Sequence, residues 1–358
     1  MALDGRTLQG AVGGVGRGVA NILPFLVAEA DLQVLLDARL SPRLNADIPA
    51  EAETRLLRAA LPTGAAWLQL AVPAALRGFD GVFHCPFYGL PYRQPVPMVV
   101  TIHDLTFEHH PEWLPAAKRM VFRAQARHAA RTARRILTVS NHVRDDIIAT
   151  YEVPADRVVA VPPSVDPVFS VAADADALRE RLRAVGLTRP YVVAFGGAPR
   201  RNLDVALEAM RIARRQGLEQ DLVVVGPEAL SADPWARGIG ALDDGALAAV
   251  LAGADVLCYP TSYEGFGMPA AEAVACGTGV VCAPVGCLPE LLGDAAEWSE
   301  DVSPGAVAAA LVRAIGTDAG RRLKEAAGRA ASRLPTWQRV AEAHLEAYAF
   351  ALHYAGAR

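Results

Sequence analysis

Short apolar runs recur along the chain, each followed by turn residues and then by a longer stretch in which apolar residues return every three or four positions. Such runs are typical of strands buried on both faces of a parallel sheet, and the longer stretches are typical of amphipathic helices. The alternation predicts an α/β protein in which helices cover parallel sheets. The predicted strands are 32–36, 81–84, 97–102, 136–139, 158–161, 191–197, 222–226, 256–260 and 280–283.

The apolar pattern breaks at 162–167, where prolines follow a predicted strand. A chain of 358 residues is also long for a single hydrophobic core. Residues 1–166 and 167–335 are therefore predicted as two domains, and residues 336–358 as a C-terminal helix with its own packing face.

Composition narrows the class of protein. Charged residues at 21% and hydrophobic residues at 52% are typical of a globular protein, and the formal net charge of −4 gives no indication of nucleic-acid binding. The five cysteines are scattered without a CxxC pair and are predicted as small core residues of a reducing compartment. No apolar stretch is long enough to span a bilayer and no signal segment opens the chain, so a cytoplasmic protein is expected.

The segment from Tyr263 to Glu272 is predicted to join a buried strand to a helix through a glycine loop. Pro269 suits a first helical turn, and a helix start presents unpaired N–H groups and the positive end of the helix dipole, which together can seat a phosphate. Glu264 is expected in the loop and Glu272 in the first turn, where both carboxylates can accept hydrogen bonds from ligand hydroxyls. The segment therefore predicts a nucleotide-sugar site.

Charged side chains follow two other predicted strands, at the edge where α/β sheets bind their ligands. Arg200 and Arg201 stand in a strand-to-helix loop, where their guanidinium groups can neutralise a diphosphate. His103 and Asp104 end the strand at 97–102. These four residues are the next candidates for a ligand site.

Glycines Gly13, Gly14 and Gly16 precede an apolar helix and are expected to form a loop that a ligand approaches closely. A dinucleotide fingerprint would need glycine or alanine where Val19 stands. The strand before this loop, at 1–4, looks like the end of a longer one, so a shortened start of the chain and a weakly held first strand are expected.

The spacing of Glu264 and Glu272 resembles the Glu-x7-Glu signature of the retaining glycosyltransferases of family 4. The words Tyr259-Pro260-Thr261-Ser262 and Val100 to Thr106, and the Gly-Gly-x-Gly-Arg loop that ends at Arg17, strengthen the resemblance, which covers nearly the whole chain. It implies the GT-B fold: two Rossmann-like, doubly wound domains that face a cleft, with the C-terminal helix crossing back to the first domain.

The resemblance implies transfer of a sugar from a nucleoside diphosphate to an acceptor hydroxyl with retained anomeric configuration, with no metal or other cofactor. In the family the first glutamate contacts the donor sugar, the second contacts the ribose, and a histidine at the position of His103 also contacts the sugar. Arg201 stands where the family usually has lysine, so the charge is kept. The catalytic residues so implied are His103, Asp104, Arg200, Arg201 and Glu264. The donor-binding residues so implied are Gly13, Gly14, Gly16, Arg200, Arg201, Gly240, Glu264, Gly265, Phe266, Gly267, Met268, Pro269 and Glu272.

The words around His103 and at 112–115 look most like bacterial polysaccharide or mannosyl transferases, which makes GDP-mannose the expected donor, with UDP- and dTDP-sugars as alternatives. The expected acceptor is a glycan, a lipid-linked molecule or a small molecule. Other functions remain open: a catalytically inactive nucleotide-sugar-binding partner subunit, a nicotinamide oxidoreductase, or a relative that epimerises or phosphorolyses sugars.

A predicted helix at 116–135 carries seven cationic residues and no acidic one. Five arginines recur every fourth position and form one stripe, which could contact an anionic membrane surface at the inner membrane face. An ordinary solvated face is the favoured interpretation, because the opposite face is apolar in the manner of core packing. The arginines of the stripe are Arg119, Arg123, Arg127, Arg131 and Arg135.

Overall fold

The structure, a computed structural model, describes residues 1–10, 14–40, 44, 47–61, 63–171, 175–188, 190–226 and 233–354. The chain forms two compact units. Unit 1 comprises Met1–Ser164 together with Pro335–Arg358, and unit 2 comprises Val165–Leu334. The sequence placed the corresponding divisions at 166 and 335.

Unit 1 contains a seven-stranded sheet in the order β3-β2-β1-β4-β5-β6-β7, with all neighbouring strands parallel. Its strands are β1 (Ala2–Asp4), β2 (Gln33–Asp37), β3 (Glu53–Leu57), β4 (Phe83–Cys85), β5 (Met98–Ile102), β6 (Arg135–Thr138) and β7 (Val158–Ala160). Its helices are α1 (Gly14–Glu29), α2 (Gly64–Ala66), α3 (Val72–Ala75), α4 (Thr106–His109), α5 (Ala116–Thr132), α6 (Asn141–Tyr151) and, from the end of the chain, α14 (Trp337–His353).

Unit 2 contains a six-stranded parallel sheet in the order β10-β9-β8-β11-β12-β13. Its strands are β8 (Tyr191–Phe195), β9 (Asp221–Val225), β10 (Ala236–Gly238), β11 (Val256–Cys258), β12 (Val280–Cys282) and β13 (Ala296–Trp298). Its helices are α7 (Ala175–Ala184), α8 (Leu203–Arg215), α9 (Asp244–Gly253), α10 (Met268–Ala275), α11 (Leu288–Leu292), α12 (Pro304–Ala314) and α13 (Thr317–Ala331).

Both sheets are covered by helices, which confirms the predicted pair of doubly wound domains. In unit 1, α1 and α14 pack together over the sheet through residues such as Leu23, Leu26 and Tyr348. In unit 2, α8 and α12 cover one face through small side chains such as Ala209 and Ala310, which let the helix axes approach the sheet closely. Each unit therefore has its own hydrophobic core.

The predicted strands are confirmed, but the sequence missed β3, β10 and β13, and all three lie at sheet edges. An edge strand is solvated along one side, so it lacks the continuous apolar run that marks a central strand. The exposed and half-exposed side chains of β3 illustrate this, because its sequence Glu-Thr-Arg-Leu-Leu mixes charged and apolar residues.

Two predictions for unit 1 were wrong, one about where a helix ends and one about the first strand. The helix predicted at 116–135 ends at Thr132, and Arg135 begins β6, because its backbone joins the ladder with Val99. The first strand, expected to be weakly held, is short but lies inside the sheet, where Leu3 pairs with Val34 on one side and His84 on the other.

The five cysteines are buried and free, as predicted for small core residues. None of the helices in the described ranges is both long and apolar enough to cross a membrane.

The C-terminal helix is tied to the sheet of unit 1 by a buried histidine. One ring nitrogen of His84 lies 2.8 Å from the hydroxyl of Tyr348 on α14, and the other lies 2.8 Å from the hydroxyl of Thr101 on β5. Burial, and then the neighbouring imidazoles of His344 and His103, lower the pKa of His84 well below its ordinary value. Burial also lowers the pKa of His344 to about 4. These imidazoles are neutral in the folded protein.

Acid is therefore expected to weaken the fold in a specific range. A histidine whose pKa falls on folding is protonated more readily in the unfolded chain, so its contribution to stability is complete above its unfolded pKa and is lost as the pH falls below that value. We expect the urea midpoint of the protein to fall as the pH is lowered from 7 to 5, with a shallower dependence in His84→Gln. The exposed His353→Gln is the matched control and should keep the wild-type slope; equal slopes in all three proteins would contradict the assignment.

Candidate functional site

Two loops of unit 2 lie side by side at the carboxyl edge of its sheet. The chain enters this sheet at β8, places β9 on one side and later places β11 on the other, so β8 and β11 flank the point where the strand order reverses. Parallel α/β sheets bind ligands at this point, because the loops that leave the two strands diverge to opposite faces. The loops here are 196–202 after β8 and 259–267 after β11.

Hydrogen bonds from Asn202 join the two loops. Its side-chain amide donates to the carbonyl of Pro260 at 2.8 Å and to the hydroxyl of Ser262 at 2.7 Å. The backbone N–H of Ser262 in turn donates to the carbonyl of Arg200 at 2.8 Å. Asn202 adopts a left-handed conformation with φ 49°, which asparagine tolerates better than most residues. The arginine loop and the glutamate loop are thereby held as one surface.

Glu264 lies at the centre of this surface with only 6% of its area exposed. Its Oε1 accepts hydrogen bonds from the hydroxyl of Tyr259 at 2.6 Å, from the hydroxyl of Thr261 at 3.4 Å and from Nε of Arg200 at 3.4 Å. Within the described part of the chain, every side-chain hydrogen bond that Glu264 makes goes to Oε1. The second oxygen, Oε2, therefore keeps its accepting capacity for a ligand.

Tyr259 is a partner of Glu264 that sequence reasoning missed, because it was placed in the buried strand and in a family word but given no role. Burial, and then the charge of Glu264, raise the pKa of Tyr259 well above its ordinary value. The phenol therefore stays protonated, and its O–H donates a hydrogen bond to the carboxylate. The only sequence signal was a buried tyrosine five positions before a glutamate. The contact that gives it meaning depends on the turn between them.

The loop at 284–287 contacts the main chain of Glu264 and holds it in place. The backbone N–H of Cys287 donates to the carbonyl of Glu264 at 3.1 Å. Gly286, with φ +55°, approaches so closely that a Cβ there would lie 2.3 Å from the carbonyl oxygen of Glu264. No side chain fits at this position without moving the glutamate, so Gly286 is a second residue that sequence reasoning missed.

The helix after the glycine loop begins at Met268, and Gly267 is its N-cap with φ +83° and no side-chain hydrogen bond. The first turn is therefore uncapped by any side chain, which leaves the positive end of its dipole facing the loop. One prediction was wrong here, because Glu272 is the fifth residue of α10 and not part of its first turn. Phe266, in the loop before the helix, is half-buried and packs against the core of unit 2.

Arg200 and Arg201 bring positive charge to the same edge. Arg200 is half-exposed and pairs with Glu264, whereas Arg201 donates from Nη1 to the carbonyl of Gly196 at 2.6 Å and lies over the ring of Phe195. No ion pair joins Arg201 to a carboxylate in the described ranges, and its Nε is buried without a hydrogen-bond partner there. A guanidinium without a carboxylate partner in the described ranges, at the same sheet edge as the N-terminus of α10, can hold an anion.

Gly240 lies at the same edge but two strands away from β8. Its carbonyl accepts a hydrogen bond from the N–H of Gly226 at 3.0 Å, which ties the ends of β9 and β10 together. A Cβ at Gly240 would meet no atom of the described residues within 4 Å. The structure thus brings Arg200, Arg201 and the 264–269 segment together, with Gly240 flanking them.

In unit 1, His103 and Asp104 follow β5 as predicted. His103 Nε2 lies 2.9 Å from the carbonyl of Pro86, so this nitrogen carries the hydrogen and donates it. Burial lowers the pKa of His103, which leaves Nδ1 of the neutral ring able to accept a hydrogen bond. One carboxylate oxygen of Asp104 accepts hydrogen bonds from the N–H and the hydroxyl of Thr106 and so fixes the start of α4.

The glycines predicted to form the first loop are placed differently. Gly14 and Gly16 belong to the first turn of α1, with Arg17 next to them, so they form the start of a helix and not a loop. Gly13 lies outside the described residues. Glycine destabilises a helix less in the first turn than in the interior, because the backbone N–H groups of the first turn are unpaired in any case.

The basic stripe of α5 is largely engaged within unit 1. Arg123 and Arg127 both bind Glu108, whose side chain is almost fully buried, at 2.6 Å and 3.3 Å. Arg119 donates to the carbonyl of Pro111 at 3.0 Å. The acidic partner comes from α4 and not from the helix itself, which is why the stripe looked unpaired in the sequence. These contacts favour the interpretation of a solvated face.

Two family models match the chain. The model described as Glycosyltransferase Family 4 matches residues 12–169, and the model described as Glycosyl transferases group 1 matches residues 189–317. The second match contains the arginine loop and the glutamate loop of unit 2.

Curated relatives share about a third of the aligned residues. The O-antigen chain mannosyltransferase B of Escherichia coli is 28% identical over 289 residues, which cover 76% of this chain and 76% of that protein. A D-inositol 3-phosphate glycosyltransferase of Xylanimonas cellulosilytica is 32% identical over 285 residues, which cover 72% of this chain and 67% of that protein.

Among solved structures, the sucrose-phosphate synthase of Thermosynechococcus elongatus superposes with a TM-score of 0.75 at 18% identity. The superposition covers 97% of this chain and 98% of that one. At this identity the likeness concerns the fold, which is the predicted GT-B fold.

The contact between Gly286 and Glu264 generates a stability prediction. In Gly286→Ala the new Cβ would overlap the backbone of Glu264, and the alanine would have to adopt an unfavourable positive φ. We therefore expect a loss of about 1–3 kcal/mol in the free energy of unfolding. The matched control is Gly305→Ala in α12, where a Cβ meets no atom of the described residues within 4 Å and should leave stability equal or slightly higher. Chemical denaturation measures both; equal stability of the two variants would show that the 284–287 loop does not fix Glu264.

Proposed function

The chain belongs to glycosyltransferase family 4, and from this premise we propose that it transfers a sugar from a nucleoside-diphosphate sugar to an acceptor hydroxyl with retention of the anomeric configuration. The observation that carries the proposal is the carboxylate of Glu264, which is held at the edge of unit 2 with Oε2 left to accept hydrogen bonds. The sugar of the donor supplies hydroxyl donors of the required kind.

Glu264 orients the sugar in this proposal. A buried carboxylate that accepts a short hydrogen bond from Tyr259, with longer contacts from Thr261 and Arg200, cannot rotate freely, so a hydroxyl bound to Oε2 is held in one position relative to the diphosphate. Correct placement of reacting groups accounts for a large part of enzymatic rate enhancement. On the resemblance alone we add contacts from His103 to the sugar, from Glu272 to the ribose and from the segment around Gly240 to the base.

Arg200, Arg201 and the start of α10 stabilise the leaving diphosphate. Negative charge develops on the diphosphate as its bond to the sugar breaks, and guanidinium groups with a helix N-terminus stabilise such charge without rearranging. We propose that these groups suffice without a metal ion. In the transfer step the acceptor oxygen forms a bond to C1, the bond from C1 to the phosphate oxygen breaks, and the acceptor proton passes to that phosphate oxygen.

We propose GDP-mannose as the donor, with UDP- and dTDP-sugars as alternatives. The support is the similarity to a curated mannosyltransferase together with the words around His103. The acceptor is a glycan, a lipid-linked molecule or a small molecule. The base is read in part by backbone groups near Gly240, which explains why the side chains leave its identity open.

The experiment is a transfer assay with GDP-mannose, UDP-glucose and dTDP-glucose over a panel of acceptor glycosides, with and without EDTA. We expect release of one nucleoside diphosphate, product of the same anomeric configuration by proton NMR, and rates that EDTA leaves unchanged. Glu264→Gln should lower the rate by about a hundredfold or more, because the sugar loses its fixed position.

The matched control is Glu300→Gln, an exposed glutamate of the same unit, which should transfer at the wild-type rate. Nucleotide binding without transfer from any donor would indicate the inactive partner subunit instead. Thermal stabilisation by NAD alone, with none by nucleoside diphosphates, would contradict the proposal outright.

A further inference from the structure

Unit 1 has a cavity of about 570 Å³ at the carboxyl edge of its sheet. It opens beyond the ends of β1 and β2, next to the point between β1 and β4 where the strand order reverses. Such a position is where α/β sheets bind ligands. The family resemblance assigns none of the polar residues that line it.

The cavity is lined by two copies of one short pattern. Leu3-Asp4-Gly5-Arg6 ends β1, and Leu36-Asp37-Ala38-Arg39 ends β2. In each copy the aspartate accepts hydrogen bonds from the backbone N–H and from the guanidinium of the arginine two positions later. Because β1 and β2 are neighbours, the two guanidinium groups face the same cavity.

The charges in this cavity are layered. The side chains of Asp4 and Asp37 are 3% and 1% exposed, whereas those of Arg6 and Arg39 are each 23% exposed. The carboxylates therefore form the floor, their oxygens already bound, and the guanidinium groups form the surface that a ligand meets. The pairs have no net charge, but the ligand meets the positive side of both.

The remaining guanidinium N–H groups are weakly engaged. Arg6 Nη1 lies 3.3 Å from the carbonyl of Gly64, and Arg39 Nη1 lies 3.4 Å from the carbonyl of Leu61, both long for charge-assisted hydrogen bonds. Arg6 is also held over the ring of Trp67, which fixes the plane of its guanidinium. Because Nε and Nη2 of each arginine already bind the aspartate, the edge formed by Nη1 and Nη2 is the part of each guanidinium that remains for a ligand group that only accepts hydrogen bonds.

Stability alone accounts poorly for this arrangement. A partly buried ion pair adds little stability relative to apolar residues of the same volume, because both charges lose their hydration. The rest of the lining is mostly apolar, which suits the body of a ligand, and its polar members are Thr7 and Gln125. The apolar residues are Leu40, Gly64, Ala65, Leu68, Phe87 and Gly89.

We propose that this cavity binds a phosphate group through Arg6 and Arg39, and that the phosphate belongs to the acceptor of the transfer reaction. A phosphate monoester has three terminal oxygens and up to two negative charges. Two guanidinium groups therefore suit a phosphate ligand better than they suit a carboxylate ligand. The assignment to the acceptor rests on the proposed function; the phosphate site itself rests only on unit 1.

The test is calorimetric titration of the intact protein with inorganic phosphate and with glycerol 3-phosphate, first without nucleotide and then with saturating GDP, which occupies the diphosphate seat of unit 2. Glycerol is the neutral control. We expect both phosphates to bind and glycerol not to bind. The paired variant Asp37→Asn with Arg39→Gln removes one floor carboxylate and its guanidinium together, and we expect it to weaken phosphate binding at least about tenfold.

The paired variant Arg339→Gln with Glu342→Gln is the matched control, because it removes an exposed ion pair of unit 1 on α14 and should bind phosphate as the wild type does. If the first variant does not fold, Arg39→Lys replaces it: lysine keeps the charge but loses the fork, so phosphate binding should weaken several-fold. Phosphate binding that survives both Arg39 changes, or glycerol binding as well as phosphate, would overturn the proposal.

Two further arms separate the sources of the phosphate and the two proposals. Sedimentation with phosphatidylcholine vesicles that contain phosphatidic acid, if it is lost in the Arg39 variant, would identify a lipid phosphate. Binding of glycerol 3-phosphate without binding to these vesicles would identify a soluble acceptor. GDP binding with no phosphate binding overturns this site and leaves the proposed function standing. Phosphate binding that depends on Arg39, measured without GDP if no nucleoside diphosphate binds, supports this site while the proposed function fails.

Discussion

The buried carboxylate of Glu264 is the constraint around which the edge of unit 2 is organised. A charge with so little solvent needs partners, and it receives them from the end of β11, from its own loop and from the arginine loop after β8. Asn202 then locks the two loops together, and Gly286 leaves space for the backbone that carries the glutamate. Together these contacts hold Oε1 of Glu264 and leave Oε2 to accept hydrogen bonds.

The two units use related solutions at corresponding places. Each sheet begins at an inner strand and reverses its strand order beside that strand, and each places an arginine–carboxylate contact beside the reversal. In unit 1 the carboxylates are buried and the guanidinium groups face a cavity, whereas in unit 2 Arg201 remains without a carboxylate partner in the described ranges. The first arrangement is suited to a ligand that accepts hydrogen bonds, and the second to a diphosphate beside a sugar.

The central strands could be predicted from the sequence because a strand buried on both faces consists of a continuous apolar run. The strands β3, β10 and β13 were missed because edge strands mix polar and apolar residues. Glu264 and Arg200 were recognised through a family motif, and the structure brings them into contact. Tyr259, Gly286 and the paired Asp-x-Arg patterns were not recognised, because their meaning arises from contacts between residues that only the folded chain brings together. The start of α1 was misplaced because glycines suggest a loop, although a first helical turn tolerates them.

In the proposed function, Glu264 holds the sugar and not the diphosphate. Calorimetric titration of Glu264→Gln with GDP and with GDP-mannose tests it directly, because the two ligands differ only by the sugar. We expect a wild-type affinity for GDP and at least about tenfold weaker binding of GDP-mannose. Equal weakening of both ligands, or no weakening of either, would contradict it.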